Sequence, residues 1–365
     1  MGIQVLTPIK GGESLVSFAK AQDASVVVLS LWFWGEQETL PARYLRLLRT
    51  RLPHAKLVII SDDVHHQRLM LAAEDEGRPP GKDVSKTREE ELRWYFHADH
   101  VLTISHADKA TILASLTRVR AMKGEHFSTL RHVYADGPLF PLDQRAPFAD
   151  RHGLLFVGNL NNPTNLFGLR WFILSVWPIV RALDPTATLR VLGDLEGEAT
   201  VSSGLPQLLK TAPGVEAMGF VTDEQLGGLL QQARVFIVPI RWATGILTKQ
   251  TLAHVHGLPT VITPTAARHV APASLDARGR GDAWSHALGR YELVRVALVA
   301  TDPADFAAGV LQLHRNETLW AEVSMNAARF ARSGGGGKGV CPSGVGDDWL
   351  GFWSKLQTSV CGGRF

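Results

Sequence analysis

One stretch constrains the chain more than any other: Arg234 to Pro264, RVFIVPIRWATGILTKQTLAHVHGLPTVITP. It opens on an apolar run, Val235-Phe236-Ile237-Val238, closed by Pro239. A short apolar run that stops at a turn residue reads as a buried strand. The loop Arg241-Trp242-Ala243-Thr244-Gly245 follows, and residues Ile246 to His256 then carry helix-like spacing with neither Pro nor Gly. Gly257 stands where a helix C-cap glycine belongs, and beyond Pro259 the run Thr260-Val261-Ile262-Thr263 reads as the next buried strand. Strand, glycine turn, helix and strand make one βαβ unit.

The chemistry of such a unit lies in the loop at its top. Ligands in open α/β sheets bind beyond the carboxyl ends of the strands. A helix N-terminus there offers unpaired N–H groups and partial positive charge. Gly245 lets a phosphate approach the backbone, and Lys249 lies one turn into the expected helix. That pairing suits a pyrophosphate. The same residues are equally compatible with a plain crossover and a solvated lysine.

The remaining chain repeats the strand–helix alternation. Buried strands are expected at Ser25–Leu31, Lys56–Ser61 and Asp99–Ser105, and a short one at Arg131–Tyr134. Thr87 to Ala98 reads as a helix, with Thr87 and Glu90 as its capping box. The polar stretch Gln144 to His152 reads as an interdomain linker. A second series begins at Leu154–Gly158. It continues through a helix at Asn165–Leu183, strands at Thr188–Gly193 and Gly214–Val221, and a helix at Asp223–Ala233. After the βαβ unit come a strand at Val294–Val299 and a helix at Pro303–His314. The expected architecture is α/β: two Rossmann-like, doubly wound domains facing a cleft, one over residues 1–144 and the other over 151–330. Residues 331–365 hold a glycine-rich tract, Ser333 to Val340, and then an amphipathic helix with Trp349, Leu350, Phe352, Trp353 and Leu356.

Composition closes off several function classes. The net charge of +3 over 365 residues is too small to argue for nucleic acid or an anionic membrane surface, and Lys and Arg are scattered. No apolar run reaches the roughly 18 residues of a membrane span. The N-terminus lacks a convincing signal peptide, so a cytoplasmic location is the expectation. Cys341 and Cys361 form no CxxC and no disulfide framework. Asp62-Asp63 with His65-His66 could hold a metal, but a polar strand end explains them as well, and no second ligand cluster accompanies them. No P-loop, GxSxG elbow or HExxH occurs.

The opening stretch resembles the donor-site signature of the group 1 glycosyltransferases, family 4 type, of the GT-B fold. The matching residues are Pro239-Ile240-Arg241, Gly245-Ile246, Lys249, Ala253 and Gly257-Leu258-Pro259-Thr260-Val261. Phe156-Val157-Gly158-Asn159, Pro163-Thr164-Asn165 and Trp171-Phe172 resemble the first strand, turn and helix of that family's donor domain. Gly219-Phe220-Val221-Thr222-Asp223 resembles the segment that contacts the nucleotide base, and Asp63-Val64-His65 the element facing the acceptor.

The resemblance implies transfer of a sugar, with retention, from a nucleotide sugar to an acceptor hydroxyl, with no cofactor and no metal required. It implies catalytic roles for His65 and Lys249. Gly158, Asn159, Gly219, Phe220, Arg241, Gly245, Ile246 and the position of Leu252 would bind the donor. Two departures stand out. The family's first strand–helix units have no counterpart before Ser25, implying a shortened N-terminal domain. The position expected to hold a donor-binding Glu is Leu252, which accepts no hydrogen bond. The alternative is therefore a catalytically degenerate GT-B-like binding protein. A nucleotide-dependent sugar epimerase is a third option, but it needs paired carboxylates the sequence does not place.

Overall fold

In the computed structural model, the residues described are 12–21, 23–30, 39–116, 126–129, 144–267, 285–287, 292–294 and 296–332. They form two compact units. The first takes the chain up to His132 together with Thr244–Ile246. The second takes Val133–Ala243 and Leu247–Val340. The expected short strand at Arg131–Tyr134, the glycine tract and the C-terminal helix lie outside the described residues.

The first unit holds a parallel sheet in the order β1 (Val26–Ser30), β2 (Lys56–Ser61), β3 (His100–Thr103), β4 (Phe127–Thr129). Around it run α1 (Gly12–Ala21), α2 (Leu40–Arg51), α3 (His65–Asp75), α4 (Lys82–His97) and α5 (His106–Leu116). Leu57, Ile59 and Val101 enter one apolar cluster, whereas Val58 and Leu102 enter another, as the two-residue strand period requires.

Three expectations need correction here. The helix read from Thr87 begins at Lys82, after Gly81, so Thr87 lies inside it and caps nothing. Glu90 instead accepts from Thr39 Oγ1 at 3.2 Å. The charged stretch after Asp63 contains α3, and β4 was not expected because three residues are too few to show a period.

The second unit is an eight-stranded sheet. Its strands are β5 (His152–Val157), β6 (Leu189–Leu192), β7 (Val215–Gly219), β8 (Ala233–Val238), β9 (Thr260–Ile262), β10 (Ser285–Ala287), β11 (Glu292–Val294) and β12 (Ala297–Val299). The order is β10-β11-β12-β9-β8-β5-β6-β7. From β12 to β7 the pairing is parallel, and β10 and β11 extend the edge antiparallel. The single strand expected at Val294–Val299 is thus two: it starts at the last residue of β11 and ends with β12, which pairs antiparallel with β11. Helices α6 (Pro163–Trp171), α7 (Trp177–Leu183), α8 (Glu198–Ser202), α9 (Leu205–Thr211), α10 (Asp223–Gln232), α11 (Thr248–Val255), α12 (Pro264–Ala267), α13 (Pro303–Arg315) and α14 (Glu317–Arg332) complete it.

Why these residues make these elements is visible locally. Asn162 caps α6, its side chain accepting from the Thr164 N–H at 3.0 Å, with Pro163 in the first turn. Thr222 and Gln225 cap α10 reciprocally. Gly257 ends α11 at φ +57°: its N–H reaches His254 O and that of Leu258 reaches Ala253 O, a Schellman closure. Between α6 and α7, Phe172–Val176 form a π-helical segment. The stretch Pro163–Leu183 is long and apolar enough to cross a bilayer by length and composition. This differs from the expectation that no apolar run reaches that length, and somewhat under half of the stretch is buried within the unit.

Both faces of the parallel strands are covered. Leu154, Phe156, Val235 and Ile237 point into one cluster with Trp177 and Phe306. Leu155, Phe236 and Val238 point into the other with Ala253 and Leu258. The stretch expected as a free linker is fastened to this unit by Arg151, which is fully buried. Its guanidinium donates to Ala146 O, Leu230 O, Ala233 O and Gln231 Oε1, and lies 5.2 Å from the centre of the Trp320 ring. Arg151→Met would leave three carbonyls and an amide without their donor. We expect the unfolding midpoint in urea to fall by the equivalent of about 3 kcal/mol, with Arg151→Lys recovering only part of it, because one ammonium cannot span that set of acceptors.

Candidate functional site

The strand order of the second unit locates its site. From β5 the chain moves outward to β6 and β7, then returns to the other flank of β5 as β8 and β9. Beyond the carboxyl ends of β5 and β8 lies the topological switch point, where open α/β sheets bind ligands. Gly158 and Asn159 follow β5, and α11 follows β8 after its loop.

Lys249 is the second residue of α11, not one turn in as expected, because the helix starts at Thr248. Its side chain is half-buried. Nζ donates to Asn165 Oδ1 and sits 5.1 Å from the centre of the Phe156 ring. Desolvation in this apolar setting lowers its pKa from 10.5 to about 7. Asn165, near the start of α6, also donates from Nδ2 to Asn159 O at 2.8 Å. Gly158 N–H donates to Leu192 O at 3.0 Å, tying the end of β5 to β6.

The other expected donor residues are less gathered. Asn159 is exposed, its Oδ1 accepting from Asn161 N–H at 3.0 Å. Gly219 ends β7 at φ +71°, and Phe220 beside it is 81% exposed. Arg241 lies on the surface with its guanidinium 5.3 Å from the centre of the Trp171 ring. Leu252 is half-buried against the apolar cluster that holds Leu155 and Phe236.

Gly245 and Ile246 group with the first unit. At Gly245 φ is +74°, and its N–H, expected to meet phosphate, donates to Asp108 Oδ1 at 3.3 Å. Asp108 is 4% exposed. Burial, helped by the charge of Asp63 and opposed by hydrogen bonds from Ser105 and Gly245, raises its pKa from 3.8 to about 6.

His65, the other expected catalytic residue, opens α3 and is buried. It shares a partner with His66 that the sequence reading missed. Glu91 Oε1 accepts from His65 N–H at 2.8 Å and meets His65 Nδ1 at 2.9 Å. Its Oε2 accepts from His66 N–H at 3.0 Å and meets His66 Nδ1 at 2.5 Å. One carboxylate thus caps α3 and orients two imidazoles. The signal was present: Glu91 falls on the buried face of α4 with Val84, Leu92 and Tyr95. Among the described residues no group of three or more His, Cys, Asp or Glu is placed to hold a metal ion.

Burial pushes the Glu91 carboxyl up, but the two histidine hydrogen bonds and the charges behind them outweigh it and set the pKa at about 2. A carboxylate depressed from 4.5 contributes stability that is complete above pH 4.5 and is lost as pH falls towards 2. The expected contribution is about 3 kcal/mol. Glu91→Gln should lower the melting temperature at pH 7 and flatten its fall between pH 5 and about 2.5. A mutant that melts with the wild-type pH slope would show that Glu91 does not govern the acid limb.

Three comparisons bear on this arrangement. Residues 151–316 match the family model of the glycosyl transferases group 1. A Klebsiella pneumoniae protein described as an uncharacterized 44.6 kDa protein in the cps region is 26% identical over 183 residues, which are 48% of this chain and 41% of that protein. Among solved structures, the Thermosynechococcus elongatus sucrose-phosphate synthase superposes with a TM-score of 0.65 at 14% identity, covering 96% of this chain and 77% of its own. The pneumococcal O-GlcNAc transferase GtfA, solved with UDP and GlcNAc, gives 0.59 at 13% identity, covering 96% of this chain and 60% of its own. The chain therefore spans less than two thirds of the length of that Klebsiella relative and of the pneumococcal enzyme. The chain shares the two-domain, Rossmann-like GT-B fold of these structures. The segment that carries the switch point, Asn165 and Lys249 lies within residues 151–316, the stretch that is similar to the glycosyl transferases group 1.

Proposed function

We propose that the chain transfers a sugar from a nucleotide-sugar donor to an acceptor hydroxyl, with retention at the anomeric carbon. The observation that carries this reading is the Lys249 ammonium at the β5/β8 switch point of a segment that matches the group 1 family. In such a transfer the bond from the sugar's anomeric carbon to the diphosphate oxygen breaks, and its electron pair stays on the diphosphate. The acceptor oxygen bonds to that carbon, and its proton passes to the departing diphosphate oxygen. The charge that grows on the leaving diphosphate is what the protein must stabilise. Lys249 does this, with Arg241 assisting, while Gly219 and Phe220 lie near the base. His65, oriented by Glu91, serves the reacting sugar. UDP is the first nucleotide to test, because the pneumococcal relative was solved with it.

A thermal-shift panel of UDP, GDP, ADP and CDP tests the donor class. A ligand present at about 100 times its Kd adds about 2.7 kcal/mol to stability. With the best nucleotide, Lys249→Ala is expected to weaken binding roughly 10- to 100-fold by calorimetry, the loss of a charge-assisted phosphate contact. Lys210→Ala, on the exposed end of α9, should leave affinity unchanged. Equal affinities for the two variants would remove Lys249 from the donor site.

A second reading, a binding protein without turnover, is favoured by one residue. Leu252 packs on the apolar cluster where a donor-binding carboxylate is expected. Leu252→Glu separates the two. If the donor site is intact, the variant should bind an intact UDP-sugar about tenfold more tightly, while its affinity for UDP alone stays put. A lower melting temperature with no gain for the sugar would favour the binding protein.

A further inference from the structure

Asn165 is 8% exposed, and both polar atoms of its side chain are committed. Nδ2 donates to Asn159 O in the turn after β5, and Oδ1 accepts from Lys249 Nζ at the start of α11. One amide therefore fastens the turn on one side of the switch point to the cation delivered from the other. Gly158 closes the third side. A Cβ at Gly158 would lie 3.1 Å from both Lys249 Nζ and Asn165 Nδ2, so no larger residue fits without displacing them. Phe156 forms the floor. An ammonium has three N–H donors. Among the described residues Asn165 is the one protein acceptor Lys249 has, which leaves two N–H for a ligand.

We propose that Asn165 is a positioning residue: it holds the Lys249 ammonium at the switch point with two N–H groups uncommitted, ready for the phosphate oxygens of a nucleoside diphosphate. This rests on the nucleotide-sugar reading above. A neutral amide suits the task better than a carboxylate. Asp at this position would neutralise the cation and repel the incoming anion, whereas Asn fixes the nitrogen and leaves its charge to the ligand. The amide also leaves Lys249 free to titrate. Burial alone lowers its pKa to about 7, and no charged side chain of α6, α11 or the β5 turn adds to the shift. The cation needed by the diphosphate thus forms as pH falls through about 7 and is lost as pH rises through it, so affinity falls as pH rises.

The test is calorimetric titration of the full chain with the tightest nucleoside diphosphate of the panel. The proteins are wild type, Asn165→Ala, Lys249→Ala, the double variant and Asn165→Asp, each first checked by thermal melt. Asn165→Ala should weaken binding about tenfold in the wild-type background and less than twofold once Lys249 is alanine, because a residue that acts only through another loses its effect with it. Wild-type affinity should drop between pH 6 and 8.5. Asn165→Asp should bind more weakly at pH 6 but keep its affinity to a pH about one unit higher, since the added carboxylate holds the proton on Lys249. Independent, additive losses in the cycle, or an Asn165→Asp profile that tracks wild type, would overturn the proposal and leave the donor reading standing. A wild type that binds none of the four nucleotides would overturn the donor reading, and this proposal with it.

Discussion

The second sheet is parallel from β12 to β7, and its central strands are shut off from water on both faces. Almost everything else in the unit follows from that constraint. A strand buried on both sides must be apolar along its whole length, as Val235–Val238 is, so it has no face on which to carry polar chemistry. Polar groups are confined to the strand ends, and the crossover helices decide which end. At β5 and β8 the crossovers diverge, opening a gap between two helices at the carboxyl ends. The polar side chains Asn165 and Lys249 meet there, directly above a strand whose last aromatic residue is Phe156.

Two desolvated charges in this chain, one buried and one half-buried, are handled in opposite ways. Glu91 receives four hydrogen bonds, two from backbone and two from imidazoles, so its ionised form is favoured despite complete burial. Lys249 donates one bond, to the oxygen of a neutral amide, and its charged form is disfavoured. A satisfied buried charge rigidifies what surrounds it. An under-satisfied one retains a strong electrostatic interaction for a partner that arrives later. The first description suits a scaffold and the second suits a ligand site. Asp108, desolvated and holding a single backbone N–H of Gly245 on one oxygen, lies between these extremes.

Much of the fold was legible because burial on both faces writes long apolar runs into the sequence, and both flanks of the βαβ unit were read within a residue or two. What was not legible had specific causes. β4 is three residues long and shows no period. β11 and β12 read as one strand because too few residues separate them in the sequence to interrupt the apolar run. The first turn of α4, Lys82 to Lys86, is mostly charged and reads as loop until tertiary packing puts Val84 inside. In the site, Lys249 was legible as a cation after a glycine turn. Asn165 stands out in the sequence only as part of a turn-and-helix resemblance, because its partner is 84 positions away. Glu91 was hidden in the run Glu89-Glu90-Glu91, where only its phase on the helix sets it apart.

The π-helical segment at Phe172–Val176 has a consequence for how this chain tolerates change in length. Widening the helix by one residue resets the angular phase of everything downstream by about 100°. With that phase, Trp177 lies in the core and its indole N–H reaches Pro213 O at 2.9 Å. Removing a single residue from 172–176 would return the backbone to ordinary α-helical hydrogen bonding, so the helix itself would be none the worse. Trp177 would nevertheless swing away from Pro213, and the exposed side of α7 would turn inward. Helix propensity would score such a deletion as an improvement, while the β6–β7 side of the sheet would lose its largest buried side chain.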